Sequence, residues 1–225
     1  MKHFYSLLTC TLSLLLWLGV ASLSAQTTIE VTEPGTLQKK LSETTELSNL
    51  VIKGSLNADD FGALRKTAGI TTLDLSDVEI VAGGGYEGTP YMVEPVKTEP
   101  GTMPDCFLFS GSLAESLTSI TLPSSVTRLG LRCLQNGTKL TEIHLPEELT
   151  YLGEMAFGYC ESLTAIELPE SIDTLAGATF EGCKALESVA LPESVVSMGG
   201  SVFSGCAALS EVTLPPTPVS YTHLT

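Results

Sequence analysis

Apolar residues recur along this chain in a block that repeats every 23 residues. Leu117-x-x-Ile120-x-Leu122-Pro123 is followed by the same pattern from Leu140, Leu163, Leu186 and Leu209, with the proline renewed at Pro146, Pro169, Pro192 and Pro215. Ile120 and Leu122 alternate with Ser119 and Thr121, the period of two expected of a half-buried strand. The proline that follows has no N–H with which to continue a ladder. The rest of each block is apolar at matched positions as well: Val126, Leu129 and Leu134, then Leu149, Leu152 and Phe157, then Ile172, Leu175 and Phe180, then Val195, Met198 and Phe203. A fixed period this short defines a solenoid, in which a coil buries its apolar side only when the next coil stacks on it. The expected fold is a right-handed α/β solenoid of 23-residue coils, each giving one short strand to a parallel sheet. The series Gly130, Gly153 and Gly199, interrupted by Ala176, predicts a tight bend before a short turn of helix.

The pattern reaches further back. Leu47-x-x-Leu50-x-Ile52 and Ile70-x-x-Leu73-x-Leu75 are again 23 apart but lack the proline. Asn57 is placed to cap a short helix over Asp60–Arg65, and Pro34–Leu41, with Leu37 and Leu41 at i,i+4, reads as a first helix closing the end of the stack. From Leu75 to Leu122 the separation is 47, two periods plus one residue. Val93-x-x-Val96-x-Thr98 lies in phase with Ile70, yet Pro95 falls inside the would-be strand, so residues 77–110 read either as a degenerate repeat or as a looped-out insertion. The organisation is then 1–25 signal peptide, 26–76 cap and first atypical repeats, 77–110 the irregular segment, 111–216 regular repeats, and 217–225 a non-repeat tail that reads as the run-on of a truncated gene.

The consensus Leu-x-x-Ile-x-Leu-Pro-x-x-Val-x-x-Leu-Gly-x-x-Ala-Phe-x-x-Cys resembles the BspA-like leucine-rich repeat family of secreted bacterial proteins. The match is good from Leu117 to Pro215 and weaker from Leu47 to Leu75. The resemblance implies a leucine-rich repeat stack and, in some members, extracellular adhesion or binding of host proteins. It carries over no fixed binding residues.

Export is expected from the N-terminus: Lys2 and His3, the apolar run Leu12–Val20 and small residues up to Ala25 form a secretory signal, and the run is short for a membrane span. Loss of residues 1–25 removes Lys2 and no acid, leaving 26 acids against 10 bases and a formal charge of −16. Such a field repels phosphate backbones and anionic lipid, so nucleic acid is not expected as a partner, nor a membrane span once the signal is gone. Five cysteines remain, and Cys160, Cys183 and Cys206 fall 23 apart, each three residues after Phe157, Phe180 or Phe203. That column is expected in the core as small hydrophobes. No His or second Cys stands at ligand spacing, so neither a metal nor a cofactor is expected.

Catalytic chemistry is sparse. His144 occupies an outward strand position, with Glu142 two residues earlier and Glu167 one coil on; a histidine beside carboxylates can move protons, but no nucleophile or oxyanion-hole motif accompanies it, and a solvated pair is the expected reading. Asn136-Gly137-Thr138 has the form of a glycosylation sequon and reads as a turn. The protein is expected to be a non-catalytic module for protein–protein interaction or adhesion at the cell surface. Its face would be the outward columns holding Ser119, Thr121, Glu142, His144, Glu167 and Glu211, small or acidic positions suited to a polar, basic partner such as a host extracellular or cell-surface protein. The alternative is a structural spacer that displays a missing C-terminal domain.

Overall fold

The computed structural model describes residues 25–88 and 92–216, together with the backbone alone of 220–221. The expected signal up to residue 24 and most of the tail lie outside the described residues. In chain order the elements are β1 (Thr27–Val31), α1 (Leu37–Glu43), β2 (Asn49–Leu56), α2 (Ala58–Lys66), β3 (Thr72–Asp74), β4 (Val78–Ile80), β5 (Gly83–Tyr86), β6 (Val96–Thr98), β7 (Thr102–Met103), β8 (Ser119–Thr121), β9 (Arg128–Leu129), β10 (Glu142–His144), β11 (Tyr151–Leu152), β12 (Thr174–Leu175), β13 (Ser188–Ala190), β14 (Ser197–Met198), β15 (Glu211–Thr213) and β16 (Ser220–Tyr221).

Three lines of hydrogen bonds join successive coils. The first is a parallel sheet in the order β1-β2-β3-β8-β10, with β4 beside the end of β2, continued by the separate pair β13-β15. Its register is the sequence period itself: Ile143 lies opposite Ile120, and Val212 opposite Val189. A second sheet, β7-β9-β11-β12-β14-β16, runs along another side. Each regular coil described therefore holds a two-residue strand beyond the one expected, because Arg128-Leu129 and its equivalents also place one residue outward and one in the core. The exception is the coil at Thr164–Leu168, which lacks the expected strand and has only this one.

The third line replaces the expected turn of helix. After the second sheet the chain runs as turns in which alternate amides donate to carbonyls of the next coil: Arg132 to Glu154, Leu134 to Ala156 and Asn136 to Gly158, at 2.8–2.9 Å. The same bonds join Phe157 to Thr179 and Phe180 to Val202, both at 2.9 Å. Left-handed backbone recurs at Arg132, Met155, Ala178 and Ser201 and again at Asn136, Tyr159, Gly182 and Gly205. The glycine series has a different cause from the bend read in the sequence. Gly130, Gly153 and Gly199 are outside the left-handed region, and a Cβ at Gly153 would stand 2.5 Å from the Gly130 carbonyl oxygen. At these glycines coil meets coil backbone to backbone, with no room for a side chain, whereas the same position holds Ala176 in the coil between Gly153 and Gly199.

Between the sheets the inward columns form one core. Ile120, Leu129, Leu134, Phe157 and Phe180 are fully buried, and Phe157, Phe180 and Phe203 stack nearly parallel with centroids 5.2 and 5.7 Å apart. At the N-terminal end Asn57 caps α2 through the Asp59 and Asp60 amides, and the Asp60 side chain accepts from the Asn57 amide, a capping box. The buried Asp60 carboxylate also accepts from Gly35 (2.7 Å) and Leu37 (2.9 Å), fixing α1 to α2.

Although 47 residues separate them, β3 pairs directly with β8, Leu73 opposite Ile120. Val96–Thr98, in phase with the repeat, pairs antiparallel with β5 instead. The chain then supplies β7 to the second sheet and a 3-10 turn at Ser112–Glu115 before rejoining the first.

Candidate functional site

The outward columns of the first sheet are set by its register. Thr72, Ser119 and Glu142 follow one another in one column, and Asp74, Thr121 and His144 in its neighbour. Glu142, His144, Glu167 and Glu211 are exposed, while Ser119 and Thr121 are half-buried. The structure thus brings Ser119, Thr121, Glu142 and His144 together on one laddered surface; Glu211 lies on β15, and Glu167 between the two parts of the sheet. Asp74 belongs to the same surface and was not foreseen, because the 47-residue step hid its alignment with Thr121. A further acidic line, Glu147, Glu170 and Glu193, follows just past the strand, exposed in each coil and spaced 23 apart.

Glu142 is held from two sides. Its carboxylate accepts the Ser119 hydroxyl at 3.2 Å from the preceding coil and lies 3.1 Å from His144 Nε2 on its own strand. The pairing is therefore along the strand at i,i+2 rather than across coils. Because the carboxylate stands between Ser and His, the imidazole meets the carboxylate and not the serine hydroxyl, and the trio lacks the order that activates a nucleophile. With both partners more than half exposed, such a pair contributes little to stability.

Lys53, exposed on β2 of the same sheet, pairs with Asp77 at 2.6 Å, and Lys184 pairs with Glu161 at 2.8 Å. The Arg128 guanidinium lies 4.0 Å over the Tyr151 ring on the second sheet. Arg65 is buried, donating to the carbonyls of Glu87, Gly88 and Phe109 with Tyr86 beside it, and so ties the irregular segment to α2 at two places. An open cleft of about 1020 Å³ lies between that segment and α1–α2. Burial raises the Asp105 carboxyl and pushes the Cys106 thiol up to about 11. Among the described residues no group of three or more His, Cys, Asp or Glu could hold a metal ion, and no helix is long and apolar enough to cross a membrane.

The profile of the BspA type leucine rich repeat region matches six copies over residues 107–222, just over half of the chain. The chain belongs to this family. Among solved structures, a leucine-rich repeat protein from Bacteroides ovatus ATCC 8483 is 20% identical over 74% of this chain and 38% of its own, with a TM-score of 0.50. The T. pallidum leucine-rich repeat protein TpLRR is 31% identical over 48% of this chain and 61% of its own, TM-score 0.40. A leucine-rich cell surface protein from Faecalibacterium prausnitzii A2-165 is 22% identical over 83% and 47%, TM-score 0.45. The chain spans less than two thirds of the length of each. No curated protein matches. BspA-type repeats generally serve protein–protein interaction.

Proposed function

We propose that this is an exported, non-catalytic BspA-type repeat protein that binds another protein at the cell surface through the outward face of its first sheet. The observation that carries the reading is charge segregation. From β3 to β15 the outward positions of that face hold Asp74, Glu142, Glu167 and Glu211 and no Lys or Arg, while Lys184 is paired with Glu161 and Arg128 lies over Tyr151 on the second sheet. A partner that presents basic residues would find complementary potential there, which speeds encounter and fixes register more than it adds raw affinity. The acids of Glu147, Glu170 and Glu193 widen the same field. A host extracellular or cell-surface protein with a basic patch fits this description.

Charge reversal of Glu142, Glu167 and Glu211 to Lys tests the proposal. Binding of wild type and the triple variant to a panel of extracellular-matrix and cell-surface proteins would be measured at two ionic strengths. The variant should lose affinity most at low salt, because the screening length falls from about 30 Å at 0.01 M to about 10 Å at 0.1 M. Affinity that is the same for both proteins at every salt level would move the site to the cleft beside Tyr86 or favour the spacer reading.

A further inference from the structure

The ladder of the first sheet is broken at one coil. On one side the Thr141 amide donates to Thr118 (2.9 Å) and the Leu122 amide to His144 (3.1 Å), bracketing β8–β10. On the other, the Ser210 amide donates to Glu187 (3.0 Å) and the Leu191 amide to Thr213 (2.9 Å), bracketing β13–β15. Between them Thr164–Leu168 carries the repeat's Ile166 but joins no strand. Among the described residues its one backbone bond is the Glu187 amide on the Thr164 carbonyl. Packing opens at the same place: Leu145 and Leu168 are partly exposed, where Leu122 and Leu191 are buried.

The other two sides of the same coil stay closed. The Ala176 amide donates to Leu152 (3.2 Å), the Gly199 amide to Leu175 (2.8 Å) and the Phe180 amide to Val202 (2.9 Å). The local sequence explains the asymmetry. Ala165 and Glu167, the outward residues, are both of types depleted in strands; at the period of the repeat they would lie opposite Glu142 and His144.

We propose that residues 164–168 form a hinge in the first sheet. Two plates, β3-β8-β10 and β13-β15, open and close there, with the second sheet and the turn ladder as the spine. The hinge stands on the hydrogen-bond pattern and does not depend on the function proposed above; if that face binds a partner, the hinge sets the curvature it can match.

Amide hydrogen exchange on the whole chain tests it without a partner. The amides of Ile166, Glu167 and Leu168 should exchange roughly 100-fold faster than those of Ala176 and Phe180 in the same coil, the span between a local opening and a laddered amide. Equal protection would overturn the hinge. So would equally fast exchange at all five, which is fraying of the entire repeat. The exposed double variant Ala165→Thr/Glu167→Val, which adds β-branched residues and removes the charge, should close the gap and slow exchange at 166–168 about tenfold. Exchange there unchanged by the substitution would count against the proposal.

Discussion

The Cys183 thiol donates to the carbonyl oxygen of Phe157 in the preceding coil, at 3.1 Å. Cys160 does the same to Leu134 (3.3 Å) and Cys206 to Phe180 (3.1 Å). The Phe157 carbonyl already accepts its own coil's Cys160 amide at 3.2 Å, so both of its lone pairs are engaged. The cysteine column therefore works as thiols: small apolar fillers that also satisfy a buried acceptor.

Burial pushes the Cys183 thiol up to about 12 and the Cys160 thiol well above its ordinary value, while Cys206 is less covered. Because the thiolate is the nucleophile, labelling of the folded protein with a disulfide reagent near pH 8 should modify Cys206 first. Cys160 and Cys183 should react only on the timescale of unfolding. Prompt reaction of all three, or a Cys160–Cys183 bridge in a mass spectrum, would contradict the thiol assignment.

The same shift sets a pH dependence. A thiol raised in the folded state stays protonated there after its unfolded counterpart has ionised. Its stabilisation is complete below the ordinary thiol value of about 8.5 and is lost as pH rises from there toward about 12 for Cys183. Urea denaturation should give equal unfolding free energies at pH 6.5 and 7.5 as far as this group is concerned, and a lower one at pH 10.5. In Cys183→Ala the drop between pH 7.5 and 10.5 should be smaller; an identical drop would assign it to other groups.

Phe180 is buried between the rings of Phe157 and Phe203. Phe180→Ala should cost about 3–5 kcal/mol, since a central coil loses an aromatic side chain and neighbours on both sides face the void. A loss under about 1 kcal/mol by chemical denaturation, the size of a surface change, would mean that the column collapses onto the gap.

What could be read in the chain was whatever repeats. Ile120, Ile143 and Leu129 announce buried columns because stacking leaves them a single environment in every coil, and Asn57 announces its helix because capping is local chemistry. The second strand at Arg128-Leu129 was hidden because two residues are too few to display a period. The alignment of Asp74 with Thr121 was hidden because it depends on where the chain returns after β5 and β6, which no local rule contains. The open coil at Ala165 and Glu167 was masked by the repeat itself: its Leu, Ile and Pro match the consensus, and the difference lies in the outward residues that the consensus leaves free.

The glycine column offers the sharpest test of backbone contact against backbone conformation. Gly153 has no left-handed torsion, so alanine suits its conformation, yet the added Cβ would lie 2.5 Å from the Gly130 oxygen and 2.7 Å from the Gly130 carbonyl carbon. Backbone cannot swing aside as a side chain can, and Gly153→Ala should cost about 1–3 kcal/mol as the two coils are forced apart. Gly177, one coil on in the neighbouring position, also lacks a left-handed torsion, and its added Cβ would meet only the Gly200 oxygen at 3.5 Å, an ordinary contact. Gly177→Ala should then be neutral or stabilising by about 0.4–1 kcal/mol, because alanine restricts the unfolded chain more than glycine does. Urea denaturation should show a loss of stability for Gly153→Ala and none for Gly177→Ala. A loss at Gly177 as large as that at Gly153 would show that the torsions of this turn, and not the approach of neighbouring coils, demand glycine.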